Sequence, residues 1–213
     1  MRTARQNPAA QRILDIAERL AQTRGFNGFS YADIAEELAV TKASLHYHFP
    51  SKSELGRALI VRYQVAFGRA LQAIDVESGT AAEKLKRYIA LYDGVLRDDR
   101  MCLCGMFAAE YATLPKPMQQ ELRRFFDASE VWLARVMADG QRAGDFALWD
   151  SPDERARVFL GALEGAMLVA RSYRDDRRFR LAAEHLLADL QPASRTPKKG
   201  RKPRAAARRR RGA

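Results

Sequence analysis

The chain has 213 residues, 47% of them hydrophobic, enough to bury a sizeable core as one domain or as a small domain fused to a larger one. Apolar runs such as "GALEGAMLVA" are broken, here by Glu164, well short of the roughly 18 residues a membrane helix needs. The N-terminal "MRTARQNPAAQ" has charge but no apolar signal-peptide core, so a cytoplasmic protein with no membrane partner is expected, nucleoid-associated when bound to DNA.

Charge and cysteine usage narrow the class further. Ten of the 37 Lys and Arg residues, and no acid, lie in 192–213, so the net charge of +11 leaves +1 on residues 1–191. Such a run with Pro, Gly and Ala cannot bury enough apolar surface to offset chain entropy; it reads as a disordered basic tail whose partner is a polyanion, or which has no dedicated role. Cys102 and Cys104 stand one residue apart, a spacing that closes no ordinary disulfide without strain and gives no argument for secretion.

Helical periodicity begins at once. Asn7 caps a first helix with Pro8 in its first position, Ile13, Ala17, Leu20 and Ala21 line one face, and Gly25 ends it. Ser30 with Asp33 makes a capping-box-like start to a short helix through Ile34, Ala35 and Leu38. Thr41 caps a third that runs to about Phe49, Pro50 stops it, and Ser51 with Glu54 opens the next. From Lys52 the stripe Leu55, Leu59, Tyr63, Phe67, Leu71 and Ile74 predicts one helix of five to six turns.

Four later stripes repeat the pattern, starting near Leu85, Leu122, Phe159 and Phe179. No alternating strand and no internal repeat is visible, so the fold is expected to be all-α with about nine helices. The change in helix length places a boundary near Pro50: a three-helix domain over 1–50, a larger helical domain over 51–191 and the tail over 192–213.

Helices of 8 to 9 residues are too short to stand alone, and two of them joined by "AVT" match a helix-turn-helix pattern. The third helix buries Leu45 and Phe49 and exposes Thr41, Lys42, Ser44, Tyr47 and His48, so its N-terminal half is a candidate to enter a major groove. In these residues, "GFNGFSYADIAEELAVTKASLHYHFPSKSEL", the chain resembles the DNA-binding domain of the tetracycline-repressor family of bacterial regulators, over about the first quarter of its length. The resemblance implies base contacts for Lys42, Ala43 and Tyr47: lysine can donate to guanine, and alanine and tyrosine can touch thymine methyls. It implies phosphate contacts, which set register rather than sequence, for Tyr31, Thr41, Ser44, His46, His48 and Lys52. His46 departs from the family, which more often has tyrosine there. A neutral imidazole can still donate, and loss of charge near the ordinary histidine pKa of about 6.5 would weaken the contact.

Competing readings of the stretch are a metal site and a merely structural helix pair. His46 and His48 are two residues apart on a helix and point to different sides, and His185 is remote, so no metal, cofactor or catalytic set is expected.

For the larger domain the resemblance implies a homodimer and an effector pocket. Gly161 and Gly165, four apart on an apolar helix, would let a second helix approach closely, and Phe159, Ala162, Ala166 and Leu186 extend the candidate interface; the same face could instead be intramolecular core. A dimer would present two recognition helices to a palindrome. Cys102 is placed near a helix start, which would lower its pKa. In many members of the family that the chain resembles here, a Gly-Cys pair opens the same helix, and some use that cysteine to sense electrophiles or oxidants; Met101 stands where they have glycine. Burial as a small hydrophobe is the alternative, and Cys104 carries no such implication. Tyr88, Tyr92, Phe107, Tyr111, Phe125, Phe126 and Trp132 are candidates to line a small-molecule cavity, or core.

The expected function is a transcriptional repressor released from a palindromic double-stranded DNA operator by a small-molecule or reactive effector. The alternative is an architectural DNA-binding protein dominated by its tail. No glycine-rich phosphate loop, convincing acid pair or nucleophile with a nearby base points to an enzyme.

Overall fold

The computed structural model describes residues 7–191, so the basic run over 192–213 lies outside the described residues. Among the described residues there are nine α-helices and no strand, and the all-α expectation is met.

The first three helices form a compact head. Helix α1 (Pro8–Arg24) starts as its residues dictate: the Asn7 side chain accepts the Ala9 N–H, and proline, with no N–H to lose, follows. Gly25 ends it at φ 81°, a conformation that favours glycine. Helix α2 (Tyr31–Leu38) carries the complete Ser30/Asp33 capping box, and α3 (Lys42–His48) is capped by Thr41. Ile34, Leu45 and Phe49 are buried in one core with Ala17, Leu20 and Ala21 of α1.

The turn between α2 and α3 is closed by Ala39 in the left-handed region, φ 54°, with Ala39 N–H donating to Glu36 O and Val40 N–H to Ala35 O. This is the helix-ending arrangement that glycine usually supplies.

Helix α4 (Lys52–Glu77) has 26 residues, about 39 Å at 1.5 Å per residue, and is longer than its apolar stripe predicts. The stripe ends at Ile74 where the buried residues end; the helix runs on through half-buried Asp75, which accepts from Lys84, Trp132 and Arg135, to exposed Val76 and Glu77. It links the head to a body made of α5 (Ala81–Arg97), α6 (Leu103–Ala109), a 3-10 turn (Tyr111–Thr113), α7 (Lys116–Ala143), α8 (Pro152–Tyr173) and α9 (Arg177–Ala188). Helix α7 packs mainly on α8 and α4, and α8 also packs on α9. Arg62 of α4 reaches across α1, donating to Asp15 Oδ1 at 2.6 Å, Glu18 Oε2 at 2.5 Å and Leu14 O at 3.0 Å.

Candidate nucleic-acid interface and effector site

Helix α3 is held by two apolar anchors and presents the rest of its surface. Leu45 and Phe49 are buried, whereas Lys42, Ala43, Ser44 and His46 are exposed and Tyr47 is 84% exposed. The ring is thereby available to an apolar or stacking partner outside the protomer. Tyr47 leans edge-on to His48, ring centroids 5.2 Å apart.

The residues expected to clamp phosphates divide into two groups. Thr41 and Ser44 lie exposed at the start of α3, with Thr41 Oγ1 accepting the Ser44 N–H at 3.3 Å. Tyr31 and Lys52 are already engaged. Tyr31 is buried and its hydroxyl donates to Phe49 O at 2.7 Å; burial pushes its pKa up to about 12. Lys52 Nζ donates to Phe29 O and sits over the Phe26 and Phe29 rings at 4.7 and 4.6 Å, and burial lowers its pKa. Both side chains hold the end of α3 and the start of α4 in place.

His46 belongs to neither group. Its Nδ1 lies 3.1 Å from Pro50 O, and a carbonyl only accepts, so Nδ1 carries the proton. The neutral ring then has an acceptor at Nε2. While the bond to Pro50 is kept, Nε2 can donate to a phosphate only from the imidazolium; a neutral ring that donates there gives up that bond.

Head and body meet at the C-terminal end of α1. Glu110, just past α6, accepts the N–H groups of Phe26 and Asn27, the latter at 3.2 Å. Arg171 of α8 donates to Gln22 O at 3.3 Å and to Thr23 O, and the Met101 N–H donates to Gln22 O at 3.2 Å. Sequence reasoning missed this joint because its acceptors are mostly main-chain atoms.

In the body, Tyr88, Tyr92, Phe125 and Trp132 come together with Tyr63 and Phe67; Tyr88 stacks on Trp132 at 5.5 Å, and Tyr88 and Tyr92 share a 3.1 Å hydroxyl contact. The other pocket candidates lie elsewhere. Phe107 packs edge-on to Phe26 of the head at 5.6 Å, Tyr111 is half-buried beside Arg123, and Phe126 lines a groove on the far side of α7.

Cys102 immediately precedes α6, as expected, but the lowered pKa expected there is not found. The residue is 1% exposed, and burial, then the Glu164 carboxyl, push its thiol well above the ordinary range. Cys104 is raised likewise. Desolvation outweighs the partial charge of a seven-residue helix.

Glu164 is the group the sequence reading passed over. It enters from α8, and an added Cβ at Gly105 would lie 2.2 Å from its Oε2, so only glycine lets it pass α6. Both carboxyl oxygens are sealed from solvent and make no hydrogen bond of full geometry among the described residues; the polar groups that face them are the Cys102 thiol and the Tyr92 phenol. Burial raises its pKa to about 7, partly offset by the Cys102 thiol and the Tyr92 phenol. An acid inside the otherwise apolar run 158–170 was the available signal.

On the outer face of α8, Gly161 and Gly165 are exposed with open space where a Cβ would point, and Ala162, Ala166 and Leu186 are half-buried. Phe159 is 1% exposed within the protomer, which corrects its place in the candidate interface: it has no surface left to offer a partner. Val158, Leu168, Val169, Tyr173 and Leu181, not singled out in the sequence, are exposed apolar residues of α8 and α9.

No helix among the described residues is long and apolar enough to cross a membrane, and no group of three or more His, Cys, Asp or Glu could hold a metal ion. A short capped helix offering Lys42 and Tyr47, held on a three-helix head above an all-helical body, defines a helix-turn-helix DNA-binding regulator. Residues 13–59 match the family model for "Bacterial regulatory proteins, tetR family", and residues 81–186 match "Tetracyclin repressor-like, C-terminal domain"; the chain belongs to the tetR family.

A TetR-family regulator from Agrobacterium tumefaciens superposes with a TM-score of 0.84 at 30% identity, covering 87% of this chain and 100% of that one. One from Legionella pneumophila gives 0.78 at 31%, covering 87% and 98%. The transcriptional regulator AcuR of Cereibacter sphaeroides is 26% identical over 152 residues, 70% of this chain and 69% of AcuR. Regulators of this family bind DNA and are typically dimers.

Proposed function

We propose that the protein is a homodimeric repressor that holds a palindromic operator through paired α3 helices and is released by a small-molecule effector bound in the body. Lys42, Ala43 and Tyr47 read base edges; Thr41, Ser44, His46 and His48 contact phosphates, with Tyr31 and Lys52 acting through the position they give α3. The observation that carries this reading is the exposed surface of α3, with Tyr47 84% exposed. The partner docks on α8 and α9, over Gly161, Ala162, Gly165, Ala166 and Leu186.

The small-molecule branch is favoured over an oxidant at Cys102 because that thiol is buried and held in its protonated form. Effector binding moves the body against the head through the joint at α1, and it favours release only by binding the DNA-incompetent state more tightly.

Binding-site selection with the purified protein tests the reading. A discrete two-fold site is expected; uniform coverage of DNA would instead support an architectural protein. Lys42→Ala should cost about 1–3 kcal/mol and relax preference at one base pair of each half-site, whereas Ser44→Ala should weaken all sequences alike. Competition titrations against single-base variants of the selected site measure both.

A further inference from the structure

Two features of the body are left unused by this reading: the carboxyl of Glu164 and a groove of about 290 Å³ between α6, α7 and α8. They adjoin. Glu164 is itself one of the groove's lining residues, with Gly105, Ala108, Phe126 and Leu160 supplying apolar wall; Gly161 and Leu168 complete it on the outward face of α8, where the proposed partner would cover its mouth. We propose that groove and acid together form a binding site for a small organic cation, an amine whose ammonium pairs with Glu164 while its apolar body fills the groove. This deepens the effector reading and rests on it.

The charge at the site selects the sign of the ligand. Two carboxyls line the groove, Glu130 and Glu164, against one guanidinium, Arg157, which already pairs with Glu130 at 3.5 Å. Around the inner end of Glu164 the facing groups are Tyr63 of α4, Tyr88 and Tyr92 of α5, and Cys102 and Cys104. All are weak acids, each with its pKa raised by burial. None can act as a counter-cation. The nearest guanidinium on α8 towards its C-terminal end, Arg171, is committed to Gln22 and Thr23.

An ionised carboxylate in such surroundings is costly without a cation, and an anionic ligand would add to that cost. An ammonium removes it, and aromatic faces nearby add to the attraction. Pairing with the ammonium requires the side chain to turn from beneath Gly105 towards the groove, away from the Cys102 thiol and the Tyr92 phenol, neither of which can neutralise the carboxylate.

The proton balance gives a signature. With its pKa near 7, Glu164 is largely protonated in mild acid. Binding converts the carboxylic acid and the free ammonium into an ion pair and sends one proton to solvent. Benzylamine, benzyl alcohol and benzoate have nearly the same shape and differ in charge, so they isolate the effect.

Titration calorimetry of the full chain at pH 6, in two buffers of different ionisation enthalpy, should show benzylamine binding at least ten times more tightly than benzyl alcohol. Benzoate should not bind, and about one proton should be released per benzylamine bound. Glu164→Gln, with its fold checked by thermal melting, should lose the preference. Equal binding of the three compounds, no binding of benzylamine, absence of proton release from the parent protein, or an unchanged preference in the variant would overturn the site.

Repeating the titration on the selected operator separates this proposal from the reading beneath it. Binding through Glu164 that leaves the protein on DNA upholds the cation site and overturns its role as effector site. Release by benzylamine that is equal in parent and variant keeps the effector reading and overturns Glu164 as its anchor.

Discussion

At the scale of single residues, two side chains sit against their local preference. Ala39 holds a left-handed conformation that costs a non-glycine residue about 1 kcal/mol, and the Cβ is the cause. Ala39→Gly should therefore stabilise the protein by up to about 1 kcal/mol in chemical denaturation, less the extra freedom glycine gives the unfolded chain. Glu164 departs further. In the native state it keeps a proton that the unfolded chain gives up above about pH 4.5. Its contribution to stability is thus complete below that pH, falls as pH rises and levels off above about 7, a loss of about 3 kcal/mol.

Depressed carboxylates such as Asp33 and Glu83 act in the opposite direction and at lower pH. Melting curves from pH 5 to 7.5 should fall for the parent and stay flat for Glu164→Gln. Glu164 was legible as an acid inside an apolar run but not as a site. Its meaning depends on Gly105, a residue 59 positions earlier whose missing side chain makes the room. Cys102 shows the converse: its place before a helix was readable, whereas the desolvation that reverses its acidity comes from residues distant in sequence.

At the scale of elements, helix starts were the most legible part of the chain. Asn7, Ser30, Thr41 and Ser51 each cap the helix that follows, since a cap is a contact across two or three residues and needs no tertiary partner. Which face of a helix meets which neighbour is not local in this way. On α8 the apolar stripe divides into Phe159, Leu163 and Met167 facing inward and Gly161, Gly165 and Leu168 facing outward, and the pattern of hydrophobic residues alone assigns them to one set.

That division makes a test possible. A side chain at Gly165 meets nothing within 4 Å in the protomer, so Gly165→Leu should leave its fold intact. If α8 lies at the dimer interface, the same substitution should shift the monomer–dimer equilibrium at least tenfold towards monomer, measured by sedimentation. An unchanged equilibrium would place the partner on another face.

For the whole molecule, charge is separated from architecture. The described helices belong to a body and head that are close to neutral, while the cations of 192–213 lie outside them. Near the end of the described residues Leu190 is buried, and its carbonyl accepts the Ala147 N–H at 2.8 Å. Truncation after Gln191 should leave the fold and the base preference intact. It should also make the dependence of DNA affinity on salt less steep, because each lost phosphate contact removes about 0.9 from the logarithmic slope. Filter-binding at several salt concentrations reads the slope directly.

The joint at α1 has a further consequence for how such a protein can change. Glu110, Arg171 and Met101 grip the head mainly through the carbonyls of Gln22 and Thr23 and the N–H groups of Phe26 and Asn27. These groups are present whatever side chains stand at those positions. On the reader's side the seam thus rests on main-chain groups and on a few residues at the end of α1. They are Gly25, where an added Cβ would lie 2.9 Å from Glu110, Phe26, which packs on Phe107, and Asn27, whose amide donates to Thr113, none of them on α3. A lineage can rewrite the face of α3 for a new operator, or the lining of the groove for a new ligand, and leave the transmission between them untouched.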